Sequence, residues 1–250
     1  MLLQPSIEAL KSLRLFGMVK ALEEQMTNSE FQTMSFEDRI GFLVEREKTE
    51  QENRRLTSRL RRAKLGQQAA YEDIDFRTNR GLDKSYLLKL SSCEWIKTHQ
   101  NLLITGPTGA GKSYLACAIG NKACREGFSV IYQRAGRMFY ELGIARGDGS
   151  FLKFIKSLGS ADLLIIDDWG LEVLGMEQRR DFLEILEERH SKKSTLITSQ
   201  FPIEEWHRLI GDPTIGDAIM DRLVHNAHIF KFSMKGDSMR KQMAKNKNLS

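Results

Sequence analysis

Apolar positions in the first seventy residues recur at helical intervals. Met18, Leu22 and Met26 lie four apart, and Phe36, Ile40 and Leu43 follow at steps of four and three. This spacing predicts two helices that each present one packing face. Ser35, three residues before Asp38, supplies a capping box for the second. A third helical run, from about residue 45 to 64, keeps only a thin apolar edge of Leu56, Leu60 and Ala63. Beside that edge Arg55, Arg59 and Arg62 repeat the same spacing as a basic stripe. Phe31, Met34 and Phe36 are expected in the core among these helices.

Beyond about residue 70 the pattern changes. A connecting stretch over residues 73–81 leads to a helix near 83–98, after which short apolar runs alternate with helix-length segments. Strands are expected at Asn101–Thr105, Phe128–Gln133, Asp162–Asp167, Thr195–Ser199 and His228–Phe232. Helices are expected between them, among others at Ser113–Glu126, Met176–Ser191 and Asp217–Asn226. Strands spaced by helices predict an α/β fold, a parallel sheet covered by helices on both faces. The expected organisation is a small all-helical domain over residues 1–70 and an α/β domain over residues 71–250.

Composition narrows the class. With 41% hydrophobic and 28% charged residues, the chain fits neither disordered, collagenous nor membrane proteins. Its 250 residues bury a core large enough to need no disulfide or metal staple. No apolar run approaches the roughly 18 residues that span a bilayer, and the first residues lack a basic secretory region. Cys93, Cys117 and Cys124 form no CxxC pair, and their odd number argues against a disulfide framework. A cytoplasmic protein without a membrane partner is expected.

Charge then says more than its total. Lys plus Arg number 38 against 33 Asp plus Glu, a net +5, but residues 54–64 alone carry six basic residues and no acid. Without that run the rest of the chain is close to neutral, and within it residues 231–250 hold a second excess, six basics against one acid. Such asymmetry points to a polyanion. Arg54, Arg55, Arg59, Arg61, Arg62 and Lys64 are the candidate contacts to the phosphate backbone of duplex DNA. Glu50 stands four residues before Arg54 and offers it a local partner instead. No recognition helix is legible, which favours DNA deformation over base readout. Lys241, Lys245 and Lys247 read as a solvated tail.

The chemistry begins where the Asn101–Thr105 strand runs into Gly106-Pro107-Thr108-Gly109-Ala110-Gly111-Lys112-Ser113, followed by Tyr114 and a helix-forming run. The segment fits G-x-x-x-x-G-K-[ST] at every fixed position. Its glycines let backbone N–H groups turn around phosphate oxygens, and the helix N-terminus adds its dipole. Lys112 is expected to reach the β- and γ-phosphates of ATP, and the Ser113 hydroxyl to ligate Mg²⁺. Further on, Leu163-Leu164-Ile165-Ile166-Asp167-Asp168 is an apolar strand ending in two carboxylates, at the sheet edge where α/β folds bind ligands. Asp167 is expected to hold Mg²⁺, and Asp168 to orient and polarise the attacking water. A third strand ends in Thr198-Ser199-Gln200, from which Ser199 or Gln200 meets the γ-phosphate or that water. Arg222 and Arg240 are arginines of the kind that stabilise a transferring phosphoryl group. Taken alone, Arg222 beside Asp221 reads as a surface ion pair.

As an ordered set, GPTGAGKS, LLIIDD, LITSQ, DRL with His225 after it, and GDSMR resemble the AAA+ ATPases of the DnaC/DnaI type. Within these the chain is similar to the IstB family, the ATP-binding helpers of insertion-sequence transposition. The similarity takes in Leu13–Met18, Ala21–Gln25, the run ending Arg61–Lys64, Ile74–Phe76 and Glu205–Trp206, so it spans roughly residues 5–241. It implies an AAA+ P-loop NTPase without a C-terminal lid domain, since the chain ends about ten residues after Arg240. It also places Arg222 as an arginine finger on a neighbouring subunit's ATP and Arg240 as a second sensor in cis. Gln200 stands where the first sensor is more often asparagine. Trp169 stands where a smaller aliphatic residue is usual, and reads as packing.

The function implied is a self-assembling, DNA-binding ATPase that selects or remodels target DNA and recruits or stimulates its cognate transposase. A replicative helicase loader on the same core is the alternative, although the N-terminal Cys cluster that some loaders use for zinc is missing. A small-molecule P-loop kinase fits the paired acids less well.

Overall fold

The structure is a computed structural model that describes residues 3–74 and 84–233. Asp75, Phe76, Arg240, Lys241, Lys245 and Lys247 lie outside the described residues. Two compact units, Met1–Ser58 and Arg59–Ser250, divide within a helix.

The first unit is helical: α1 (Leu3–Ser12), α2 (Phe16–Thr27) and most of α3 (Phe36–Ala63). The second and third helical runs of the sequence are one continuous helix. The apolar period fades after Leu43, but no Gly or Pro follows Gly41 before Ala63, and Glu, Lys, Arg and Gln sustain a helix without a packing stripe. Ser35 caps α3: its hydroxyl accepts the Asp38 N–H at 3.1 Å and donates to the Asp38 carboxylate at 2.8 Å. Phe31 is buried and meets Phe42 at a centroid distance of 5.0 Å. Met34 and Phe36 are exposed, contrary to expectation, and Phe36, Ile40 and Val44 leave an apolar edge on α3. A single layer of helices buries only one side of each.

Glu47 locks this unit. The start of α2 has no side-chain cap of its own, and its free amide donors need acceptors. The buried Glu47 carboxylate accepts the N–H groups of Gly17 at 2.6 Å and Met18 at 3.1 Å, and Arg54 at 3.1 Å. Only glycine allows the approach, because a Cβ at Gly17 would lie 2.6 Å from the Arg46 carbonyl oxygen.

The second unit holds α4 (Lys84–Ser91), α5 (Glu94–Lys97), β1 (Asn101–Thr105), α6 (Lys112–Arg125), β2 (Val130–Arg134), α7 (Ala135–Asp148), α8 (Phe151–Ser160) and β3 (Leu163–Trp169). It continues with α9 (Met176–Arg189), β4 (Ser194–Ser199), α10 (Trp206–Ile210), α11 (Pro213–Val224) and β5 (Ala227–Lys231). All pairings are parallel, in the order β2-β3-β4-β1-β5. β1, β3 and β4 are buried along nearly their whole length, as strands covered on both faces must be. Leu103, Leu164, Ile166 and Ile197 join the core made with α7, α8, α9, α10 and α11. On the opposite face α6 packs so closely that a Cβ on Gly120 would meet Ile165 at 2.8 Å. Arg189, fully buried, ties the end of α9 to the carbonyls of Leu158, Ala161 and Ser194. Among the described residues no helix is long and apolar enough to cross a membrane.

The Glu47 arrangement predicts a pH-dependent stability. Burial opposes the charge of Glu47, but the bonds from Gln51, Met18 and Gly17 and the charge of Arg54 outweigh it and lower its pKa below 4.5. Its contribution is therefore present above that value and lost as pH falls through the lower folded value. Glu47→Gln is expected to cost the first unit roughly 1–3 kcal/mol near neutral pH and much less at an acidic pH below the lowered folded value. Hydrogen exchange at the Gly17 and Met18 amides reads the difference, and an equal cost at both pH values would place the stabilisation elsewhere.

Candidate active site

The loop after β1 turns on three glycines at positive φ, Gly106, Gly109 and Gly111. Gly106 has φ +146° and no room for a side chain: a Cβ would lie 2.6 Å from the Phe232 Cβ. Phe232 is drawn there by its N–H, which donates to the Thr105 carbonyl at 2.7 Å. Gly111, at φ +100°, sits in the left-handed region where L side chains are strained, and ends the loop as the N-cap of α6 without a side-chain cap bond. The first amides of α6 are thus left for a ligand. Lys112 is buried, and its ammonium donates to the carbonyls of Gly106 at 2.7 Å and Pro107 at 2.9 Å. Burial lowers its pKa from the ordinary lysine value, against the opposing pull of Asp168 and Asp167.

β3 delivers the two acids by a bulge. Ile166 pairs with Ile197 and Trp169 with Ser199, so Asp167 and Asp168 together stand opposite Thr198 alone. In a regular strand neighbouring side chains point to opposite faces. The extra residue, with Asp168 at φ +58°, re-aims both carboxylates into one cleft. Thr198 fixes the bulge, donating its hydroxyl to Asp167 Oδ1 at 2.5 Å and accepting the Asp168 N–H at 3.0 Å. Asp167 Oδ2 accepts the Tyr132 phenol at 2.7 Å. Asp168 Oδ2 accepts Arg134 at 2.8 Å. Burial and the bond to Asp167 push the Tyr132 pKa up, so the phenol remains a donor.

The resulting cleft has a volume of about 310 Å³. Thr108, Gly109, Gly111, Lys112, Ser113, Tyr114, Asp167, Asp168 and Gln200 line it, as do Gly66, Gln67, Tyr132 and Arg134. Gly106 and Pro107 contribute their carbonyls to Lys112, and Ala110 is buried behind the loop. Of the two candidates at the end of β4, Gln200 lines the cleft. Ser199 is committed to packing, its hydroxyl donating to the Trp169 carbonyl at 2.9 Å and accepting the Phe201 N–H at 3.1 Å. Trp169 is itself fully buried, with its ring centroid 4.5 Å from that of Trp206.

Tyr132, Arg134, Thr198, Gly66 and Gln67 were not singled out from the sequence. Tyr132 and Arg134 alternate on β2 and so share a face, a signal that acquires meaning only once β2 is known to neighbour β3. Arg222 does not line the cleft; it donates to the Ala218 carbonyl at 2.8 Å and to Glu187 at 2.9 Å.

The basic run divides into two groups. Arg54 is half-buried, bonded to Glu47 and to the Arg14 carbonyl and set 5.3 Å from the Phe16 ring centroid. Arg59 donates to the Cys124 carbonyl at 2.8 Å. These two side chains are used within the fold. Arg55, Arg61, Arg62 and Lys64 are exposed.

The position of Lys112 yields a direct expectation: Lys112→Ala lowers nucleotide affinity at least about 100-fold, because a buried charge-assisted contact worth about 3 kcal/mol is lost. Titration with a fluorescent ATP analogue measures it, and retained affinity would remove Lys112 from the binding set.

Comparison with known proteins agrees with this geometry. Residues 8–247 match the family model described as IstB-like ATP binding protein. The insertion sequence ATP-binding protein y4pL of Sinorhizobium fredii is 49% identical over 241 residues, covering 96% of this chain and 98% of that protein. Among solved structures, DnaI superposes with a TM-score of 0.57 at 21% identity over 66% of this chain and 92% of that one. DnaA, solved with AMPPCP and single-stranded DNA, gives 0.57 at 20% identity over 75% of this chain and 57% of that one. The fold is that of an AAA+ P-loop NTPase, and the chain belongs to the family of IstB-like ATP-binding proteins.

Proposed function

We propose that this chain is a Mg²⁺-dependent ATPase that assembles with copies of itself on duplex DNA, selects or remodels a target site and recruits or stimulates the transposase of its insertion sequence. The observation that carries the reading is the bulge that brings Asp167 and Asp168 together beside Lys112 and Ser113. A protein that merely holds a nucleotide needs one carboxylate at this edge; a second one, held only by an ion pair to the exposed Arg134, favours hydrolysis.

The residues suit magnesium. Among the described residues no three or more His, Cys, Asp or Glu side chains converge as a metal cage. Mg²⁺ needs no cage, taking one or two protein oxygens together with phosphates and water. Ser113 and Asp167 would hold it, and when bound it supplies charge neutralisation across the β- and γ-phosphates. Asp168 is assigned the water, Gln200 a contact to the γ-phosphate or that water, and Arg222 the ATP of another copy. Arg240 is assigned a contact in cis.

DNA binding rests on the exposed part of the basic run, Arg55, Arg61, Arg62 and Lys64. Arg54 and Arg59 serve the fold first. The insertion-sequence setting of its relatives favours a transposase as the protein partner.

Hydrolysis measured with and without duplex DNA, while light scattering sizes the assembly, tests the whole. DNA-stimulated hydrolysis in a multi-subunit complex is expected; phosphate transfer to a small metabolite, or capture of a replicative helicase in preference to a transposase, would overturn the reading. Asp168→Asn should bind ATP normally and hydrolyse it roughly 100-fold more slowly. Normal hydrolysis would sink its assignment. Changing Arg55, Arg61 and Arg62 to Glu should weaken duplex binding by at least roughly 10-fold and flatten its salt dependence, with an unchanged thermal melt. If changing Arg54 to Glu lowers DNA affinity without destabilising the first unit, the division of the run is wrong.

A further inference from the structure

The end of α3 is clamped onto the nucleotide-binding unit by a short run of contacts. Arg59 donates to the Cys124 carbonyl at the end of α6, and Ala63 is fully buried. Lys64 then turns the chain through a left-handed conformation at φ +49°. Leu65 lies against α6, its Cδ2 2.9 Å from the Cβ that Gly120 lacks. Gly66 follows, and a Cβ there would lie 2.5 Å from the Tyr132 hydroxyl and 2.6 Å from its Cζ. The same hydroxyl donates to Asp167 at 2.7 Å. Gly66 and Gln67 also line the cleft itself. Four steps, through Leu65, Gly66 and Tyr132, therefore separate the exposed Lys64 from the carboxylate assigned to the metal.

We propose that Tyr132 is a positioning residue that orients Asp167, and that Gly66, packed on its phenol, couples that orientation to whatever the basic end of α3 binds. The metal and DNA assignments are those of the proposed function. Asp167 is held by donors on both oxygens, Thr198 on one and Tyr132 on the other. Thr198 is fixed in the sheet, whereas Tyr132 reaches over from the edge strand and rests on the Gly66 backbone. The phenol is thus the adjustable member of the pair. A shift of the chain after Lys64 moves Gly66, and Tyr132 has no slack on that side. A side chain at Gly66 would have to push the phenol aside, and Gly66 does not use a positive φ, so its lack of a side chain serves the approach to Tyr132.

A double-mutant cycle on the full chain decides it. Tyr132→Phe keeps the ring and removes the bond; Gly66→Ala keeps the phenol and displaces it. Affinity for a fluorescent ATP analogue is measured with Mg²⁺ and with EDTA, each with and without a short duplex. Tyr132→Phe is expected to weaken Mg²⁺-dependent binding roughly 10-fold and leave binding in EDTA unchanged. Gly66→Ala should give a similar loss, and the double variant no further loss, since both act through one bond. Duplex should change the Mg²⁺-dependent affinity of the wild type and leave that of Tyr132→Phe unmoved. Equal losses in Mg²⁺ and EDTA, or additive losses in the double variant, overturn the positioning role. Duplex that binds the wild type but leaves its nucleotide affinity unchanged overturns the coupling alone. Failure of the wild type to bind duplex overturns the DNA reading, and the cycle in Mg²⁺ and EDTA still decides the role of Tyr132.

Discussion

Two neighbouring residues at the end of a strand send their side chains to opposite faces of a sheet, and a buried parallel sheet has no solvent on either face to receive a carboxylate. β3 meets this constraint by inserting one residue more than its partner β4 can pair. The bulge needs a left-handed residue, and Asp168 adopts it at φ +58°, a conformation that costs a non-glycine residue about 1 kcal/mol or more. What offsets that cost is local. Thr198 bonds to both acids, and Trp169, packed between Phe182 and Trp206, anchors the strand just beyond them. Ser199 completes the anchor through the Trp169 carbonyl. The residue that is larger than usual after the paired acids is therefore part of how they are held.

The two carboxylates are held unequally. Asp167 is almost fully buried and receives neutral hydroxyl donors on both oxygens. Neutral donors orient an anion without cancelling its charge, which leaves that charge available to a cation. Asp168 is more open and pairs with Arg134, whose side chain is 64% exposed. An ion pair so open to water is worth at most about 1 kcal/mol. The site thus combines one fixed acid with one that can be released at little cost.

The strands and the loop were legible because each carries its own signal: apolar runs bounded by turns, and a glycine pattern whose φ values only glycine takes without strain. Asp167, Asp168 and Gln200 could be read because strand ends in an α/β sheet are where ligands sit. Tyr132, Arg134, Thr198 and Gly66 could not, since their roles depend on which strands are neighbours and on a one-residue register shift. The unbroken α3 was hidden for a different reason. A helix sustained by propensity and capping, with little apolar face, leaves no period to read between Val44 and Leu56, so its two ends read as separate runs. The basic run shows the same limit, because its sequence gives six equivalent cations while packing commits Arg54 and Arg59 elsewhere.

Arg222 gives the clearest constraint on how such a site could be completed. Its recess is shared with Asn101 and Thr195, at the first residues of β1 and β4, whereas the cleft lies beyond their last residues. Five residues of β1 separate the two by roughly 17 Å, more than an arginine side chain spans. No rotamer of Arg222 brings it to the cleft of its own chain. If it acts on a nucleotide, it acts on one held by another copy, and the bonds it now makes to Glu187 and Ala218 must yield to that neighbour. Hydrolysis would then depend on assembly, and anything that gathers copies on one DNA would raise the rate without touching the cleft.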